Sequence, residues 1–327
     1  MKTVLVTGAA GFIGYHAAKA LLEMSVAVIG VDILNDYYDV ALKQARLLDL
    51  QTYQDFTFHH INLLDHDALH TCIQGRDVTH ILHLAAQAGV RYSLENPRAY
   101  IDSNVMGHLN ILELARHNPS IEHVAYASSS SVYGDRGQDG EGDGEPFSET
   151  DRVRTPASLY AATKLGGEML SESYWRLYGI HQTGLRFFTV YGPWGRPDMA
   201  YFIFVDKIFK NEPITLFAPD QMQRDFTYVS DIVSVLPTIL ISPPANGHAV
   251  YNLGNSKPNT LLQFVKIIEQ ACGRPAQKII KEKQKGDVDM TFADVTAAER
   301  DFGFSPSITL DVGIPQFVAW YKSFYRV

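Results

Sequence analysis

A short apolar run, Thr3-Val4-Leu5-Val6-Thr7, leads directly into three glycines spaced three apart, Gly8, Gly11 and Gly14, and then into an alanine-rich helical pattern. Strand, glycine loop and helix in that order constrain the chain more than any other feature. Gly8 permits a tight turn, Gly11 lets backbone come close to a pyrophosphate, and Gly14 allows the helix to pack against the strand. Phe12 and Ile13 stand just before the helix, whose N-terminus then faces the phosphates of a dinucleotide.

The pattern continues as alternation. Val26–Val31, Phe56–Ile61, His80–Leu84, His123–Ser128 and His181–Phe187 read as further strands, with helices over Gly14–Glu23, about 99–116 and Ser158–Tyr178. Strands alternating with helices predict an α/β, Rossmann-like, doubly wound parallel sheet. After Phe188, prolines 193, 197, 213 and 219 punctuate loops and short helices. The expected division is a dinucleotide domain over 1–188 plus about 225–258. A smaller, interleaved C-terminal substrate domain takes 189–224 and 259–327. The Gly/Asp-rich stretch 135–145 reads as an exposed loop, with a solvated or a lid role.

Strand two ends at Val31-Asp32, about 20 residues past the loop. Asp32 suits a ribose diol and repels a 2′-phosphate, so NAD is expected rather than NADP. Leu84, Ala85, Ala86 and Gln87 follow strand four, where small residues let a cofactor pass close to backbone. Asn104 reads as a brace for these strand ends or as an interior helix polar group.

Tyr160 and Lys164 stand four apart on a helix and share a face. An ammonium beside a phenol favours the phenolate and makes a usable base near neutral pH. A serine run, Ser128 to Ser131, precedes them. Alone the pair is weak; behind a dinucleotide loop and a hydroxyl cluster it describes a redox site.

The net charge of −8 and the lack of a basic tract argue against nucleic acid. Cys72 and Cys272 are the only cysteines, so no disulfide framework or zinc spacing exists, no metal is expected, and a reduced cytoplasmic setting fits. Gly8 cuts the opening apolar run, which argues against a signal peptide. No uncharged apolar stretch approaches the ~18 residues of a membrane span.

Thr7-Gly8-x-x-Gly11-x-x-Gly14, Leu84-Ala85-Ala86, the serine run before Val132-Tyr133-Gly134, and Tyr160-x-x-x-Lys164 together resemble the extended short-chain dehydrogenase/reductases acting on nucleotide sugars. The resemblance covers essentially the whole chain. Asp32-x-x-Asn35-Asp36-Tyr37-Tyr38-Asp39, Ala88-Gly89-Val90-Arg91-Tyr92-Ser93, Arg186 through Met199, and Gln223-Arg224-Asp225-Phe226-Thr227-Tyr228 resemble a narrower group, the UDP-glucuronate 4-epimerases.

The resemblance implies reversible epimerisation through a transient 4-keto sugar. Tyr160 takes the 4-hydroxyl proton, Lys164 holds the nicotinamide ribose, and Ser129 hydrogen-bonds the 4-oxygen. Asn35, Asn62 and Leu63 are further cofactor-binding residues; Asn62 stands near the adenine, where the family usually has aspartate. Ser130, Ser131 and Thr189 are expected to clamp the sugar carboxylate, although the two serines also suit a strand-end turn. Thr189 replaces the asparagine usual in neutral-sugar epimerases. Arg196 reads as a carboxylate partner or a loop brace, with Arg91 a further candidate. Phe217 flanks the uracil, Asp287 takes the uridine ribose, and Arg224 binds the diphosphate or pairs with Asp225 or Asp231. Ser131 occupies the position where dehydratases and decarboxylases typically carry an acid, which argues against elimination and decarboxylation. UDP-glucose/UDP-galactose epimerisation, UDP-glucuronate decarboxylation and a non-catalytic dinucleotide sensor are the alternatives. A homodimer is expected through the helices at about 99–116 and 158–178.

Overall fold

A computed structural model describes residues 1–134, 144–220, 222–282 and 290–327, and these fall into two compact units. The first comprises Met1–Gly134, Arg152–Phe187 and Val233–Tyr251; the second contains Phe188–Ile232 and Asn252–Val327. Strands are numbered β1 (Thr3–Thr7), β2 (Ala27–Asp32), β3 (Phe56–His60), β4 (Val78–His83), β5 (His123–Ser129), β6 (Gln182–Phe187), β7 (Thr189–Tyr191), β8 (Ile214–Phe217), β9 (Gln223–Tyr228), β10 (His248–Leu253), β11 (Pro258–Thr260), β12 (Lys278–Lys281) and β13 (Met290–Thr291).

The first unit is built on a seven-stranded sheet ordered β10-β6-β5-β4-β1-β2-β3. Every pairing from β6 through β3 is parallel. The chain winds outward from β1 to β3, then restarts at β4 and winds the other way, so the switch point lies between β1 and β4. Ligands of such sheets bind outside the carboxyl ends of strands at that point. A helix layer buries one face: Ile111 and Leu114 pack on Leu5, Ile29, Val31, Ile81 and Val124. Truncating one of these to alanine costs about 2–5 kcal/mol.

Helix Leu159–Tyr178 begins where the Ser158 hydroxyl accepts from the Ala161 N–H and ends at Gly179, φ 71°. These caps fix its ends and put Tyr160 in its first turn. The helix expected over 99–116 is not uniform. Tyr92–Glu95 and Pro97–Tyr100 are short α-helices, Ile101–Met106 is a π-helical turn, and Gly107–Arg116 is α-helical. The π turn buries only the polar Asn104, so no apolar spacing marks it in the sequence.

In the second unit, β9 pairs with β7, β11 and β13, and β8 pairs with β12. Residues 225–232 and 252–258 are expected in the first unit. The structure gives them to the second, because β9 pairs with β7 and β11 and the Asp225 carboxylate accepts from the backbone of Asn255, Ser256 and Ala293. Residues 135–143 of the expected acidic loop lie outside the described residues.

Candidate active site

The glycine loop is a cradle with no room for side chains. Gly8 has φ +70°, and a Cβ there would lie 2.8 Å from the Ala85 nitrogen and 2.9 Å from its Cα. A Cβ on Gly14 would lie 2.0 Å from the Gly8 carbonyl oxygen. The Gly8 N–H donates to the Val31 carbonyl at 2.7 Å, and the Gly11 N–H to the Gly8 carbonyl at 2.8 Å. Phe12 begins the helix with Gly11 as its cap, so first-turn N–H groups face the mouth of the loop.

Asp32 ends β2 beside this loop. Its Oδ2 accepts from the Ala10 N–H at 3.1 Å and its Oδ1 from the Leu34 N–H at 2.8 Å. Each carboxylate oxygen keeps a further lone pair, so a ribose diol can still be accepted. The cradle and this acid together fit a dinucleotide. Asn62 Oδ1 accepts from the Leu64 N–H at 3.0 Å. Leu63 packs in the core and its carbonyl accepts from Asn110, leaving its backbone N–H as the group that could meet an adenine.

Two buried cations from helix Val40–Leu50 were not singled out in the sequence. Arg46 donates from Nη1 to the Ala10 carbonyl and the Tyr38 hydroxyl, each at 2.8 Å. Lys43 Nζ donates to the Asn35 carbonyl at 2.6 Å and to Asn35 Oδ1 at 2.5 Å. The Ala10 peptide is thus held by Asp32 at one end and Arg46 at the other. The available signal was their spacing of three on a helix with an apolar face.

Asn104 lies in the π turn. Its Oδ1 accepts from the Gln87 N–H at 2.8 Å, and its Nδ2 donates to the Gln87 carbonyl and to Thr163 Oγ1, each at 3.0 Å. It therefore joins the segment Leu84-Ala85-Ala86-Gln87 to the helix bearing Tyr160 and Lys164. Lys164 is 7 % exposed, and its Nζ donates to the Ala127 carbonyl at 2.7 Å. Tyr160 meets Tyr100 edge-to-face at 6.1 Å. A small cavity beside Lys164 is lined by His83, Asn104, His108 and Tyr126 among others. Burial, with the Lys164 charge adding to it, pushes His108 down to about 3. Burial, then His108 and Lys164, hold His83 well below its ordinary value. The ammonium thus faces neutral imidazoles and is the local positive charge.

β5 ends in the hydroxyl turn. Ser129 Oγ accepts from the Ser131 N–H at 3.2 Å and from the Ser131 hydroxyl at 3.0 Å. Beneath the turn lies a buried ion pair. Arg186 Nε and Nη2 donate to Glu168 Oε1 and Oε2 at 2.9 and 2.7 Å, the side chains being 4 % and 2 % exposed. Burial opposes the Arg186 charge, and the Glu168 carboxylate more than offsets that, raising its pKa. The Glu168 role was missed; a charged Arg186 inside the fully buried strand QTGLRF was the signal that an acid had to be near.

The remaining candidates are placed as follows. Arg91 is exposed at the start of helix Tyr92–Glu95. In the second unit, Thr189 opens β7, Phe217 ends β8 and Arg224 lies in β9. Arg196 forms a two-point ion pair with Asp198, which favours the loop-brace reading. Arg224 donates from Nη1 to the Gln223 carbonyl at 2.8 Å. Asp231 accepts from the Ser307 and Ile308 N–H groups, and Asp225 from three backbone N–H groups. Asp287 lies outside the described residues.

Fold and site together define a dinucleotide-dependent enzyme of the Rossmann class. The family model "NAD dependent epimerase/dehydratase family" matches residues 4–254, and the chain belongs to that family. A "Probable UDP-glucuronate 4-epimerase" of Rhizobium meliloti is 43% identical over 98% of this chain and 97% of its own length. The crystal structure of UDP-glucuronic acid 4-epimerase from Bacillus cereus with UDP-glucuronic acid and NAD superposes with a TM-score of 0.90 at 31% identity, covering 99% of this chain and all of the other (100%). UDP-glucose 4-epimerase of Thermotoga maritima with UDP-glucose gives a TM-score of 0.87 at 27% identity, over 99% of both chains.

Proposed function

We propose that the protein is an NAD-dependent 4-epimerase that interconverts UDP-glucuronate and UDP-galacturonate through a transient 4-keto sugar. The observation that carries this reading is the Ser129–Ser131 turn, which presents hydroxyls and no acid at the end of β5, two residues beyond the carbonyl that receives Lys164. NAD, when bound, accepts the C4 hydride and later returns it. Tyr160 removes the 4-hydroxyl proton and gives it back; Lys164 favours its phenolate and holds the nicotinamide ribose. Ser129 hydrogen-bonds the 4-oxygen. Ser130, Ser131 and Thr189 hold the carboxylate. Arg224 and Phe217 take the diphosphate and uracil, and Asp287 takes the uridine ribose.

Gly8, Gly11, Gly14, Phe12 and Ile13 hold the pyrophosphate, and Asp32, Asn35, Asn62 and Leu63 the adenosine. Arg196, paired to Asp198, orders its loop and is available to the sugar carboxylate as a second role. The likeness to UDP-glucuronate 4-epimerases over nearly the whole chain supports the uronate over a neutral sugar. Free, buried Cys72 and Cys272 support a reducing, cytoplasmic setting. Among the described residues no helix is long and apolar enough to cross a membrane. A homodimer is supported by exposed Met169, Leu177 and Tyr178 on one long helix and by exposed Ile101 and Met106 on the π turn. Incubation with UDP-glucuronate and separately with UDP-glucose, followed by NMR of sugar H1 and H4, tests the reading. Conversion of UDP-glucose alone would overturn the substrate assignment, and conversion of neither would overturn the enzymatic one.

A further inference from the structure

One buried ion pair reaches both ends of the Ser129–Ser131 turn. Immediately before it, the Ser128 hydroxyl donates to Glu168 Oε1 at 2.5 Å. Two residues after it, the Tyr133 hydroxyl accepts from Arg186 Nη1 at 2.9 Å, with the guanidinium over the Tyr133 ring at 4.8 Å. Ser128 and Arg186 are direct cross-strand partners in the β5–β6 register. Glu168 lies one turn beyond Lys164 on the same helix. The far end of the turn is closed by Gly134, φ +68°, where a Cβ would lie 2.3 Å from the Thr155 carbonyl oxygen.

We propose that the Arg186–Glu168 pair is a positioning device for the Ser129–Ser131 turn, and that it sets whether the 4-keto sugar is reduced or loses carbon dioxide. The proposal rests on the 4-epimerase reading above. Oxidation at C4 leaves the carboxylate β to a ketone. If the C5–C6 bond aligns with the carbonyl π system it breaks, its electron pair forms the C4–C5 enolate, and carbon dioxide leaves. A proton then adds at C5 to give a UDP-4-keto-pentose. If that ketone is reduced to a UDP-pentose, the hydride returns and the cofactor is regenerated; if it departs unreduced, the hydride stays behind as reduced cofactor, one equivalent per enzyme, and that molecule stops.

Keeping the carboxylate out of alignment demands placement of its holders to within about 0.5 Å and 10–20°. The bonds between Ser129 and Ser131 set the shape of the turn but do not anchor it to the rest of the sheet. A guanidinium–carboxylate fork has a fixed geometry, and here it is buried and extends one hydrogen bond to each side of the turn. The hydroxyls would meet the substrate; the ion pair acts only through them.

Tyr133→Phe and Ser128→Ala each remove one hook and leave the ion pair intact. The quantity to read is the fraction of converted sugar that appears as UDP-pentose or UDP-4-keto-pentose, the latter leaving an equal amount of reduced cofactor on the enzyme. That fraction is independent of how much protein is folded, so a loss of stability alone does not move it. Each variant is expected to raise it about tenfold or more. A fraction within about twofold of the parent's in both variants overturns the proposal. Amide hydrogen exchange of the NAD-loaded protein without substrate is the second readout. The amides of 129–133 are expected to exchange about tenfold faster in each variant while β1 and β4 stay unchanged. If the parent leaves UDP-glucuronate untouched, the functional reading falls and exchange decides alone: faster exchange of the turn supports the positioning role, and unaltered exchange overturns it.

Discussion

The Lys164 ammonium donates a hydrogen bond to the Ala127 carbonyl, tying the helix that carries Tyr160 in its first turn to the strand that ends in Ser129. Base, hydroxyl and cation are thereby held on two elements joined by this bond and by the one from Ser128 to Glu168. Lys164→Met is expected to lower kcat with UDP-glucuronate by about 10²–10⁴, the range for losing a positioned proton-transfer system, and Tyr160→Phe to do the same. Steady-state kinetics on NAD-loaded protein checks this. A Tyr160→Phe enzyme within about tenfold of the parent would contradict the assigned base.

Gly8→Ala places a methyl against the Ala85 backbone and asks alanine to adopt a left-handed φ. The two segments that form the cofactor cradle must then separate. The purified variant is expected to carry little or no NAD, read by releasing and quantifying the nucleotide. NAD content equal to the parent's would show that the cradle is not where the cofactor lies.

The Arg186–Glu168 pair sets a stability prediction. Glu168→Ala strands a buried guanidinium and should cost about 3–5 kcal/mol in urea unfolding. The double change Glu168→Met with Arg186→Met should recover part of that loss, because it removes both charges instead of one. Additive losses in the cycle would mean that the two side chains are not coupled.

Burial depresses His108 to about 3 and His123 to about 4 from an ordinary 6.5. An imidazole whose folded pKa is lowered binds fewer protons folded than unfolded. Between about 6.5 and about 3, stability therefore rises with pH and is lost on acidification. Urea midpoints measured from pH 7.5 downward should fall through this window, and His108→Gln should flatten the slope by the share of one proton. A variant slope equal to the parent's would contradict the neutral, buried His108.

The parts of this fold legible in sequence are those where one residue type has one physical job. Gly8, Gly11 and Gly14 cannot be replaced in a loop that passes under Ala85, and Asp32 closes a strand. Ser158 and Gly179 cap the helix carrying Tyr160. The π turn at Ile101–Met106 leaves no apolar spacing to read, since it buries only Asn104, which depends on it to reach Gln87 and Thr163. Arg46, Lys43 and Glu168 look like surface charges in one dimension; only the fold shows each meeting a buried partner. The placement of 225–232 follows from the pairing of β9 with β7, a contact between segments far apart in sequence.

The reaction proposed is a reversible oxidation at C4 with the hydride kept inside the enzyme. Its most direct test is NMR of the reaction with UDP-glucuronate in deuterium oxide, following H4 and H5. The expected product is UDP-galacturonate with protium retained at both C4 and C5, and no carbon dioxide. Deuterium at C5, or a UDP-pentose as the main product, would contradict it.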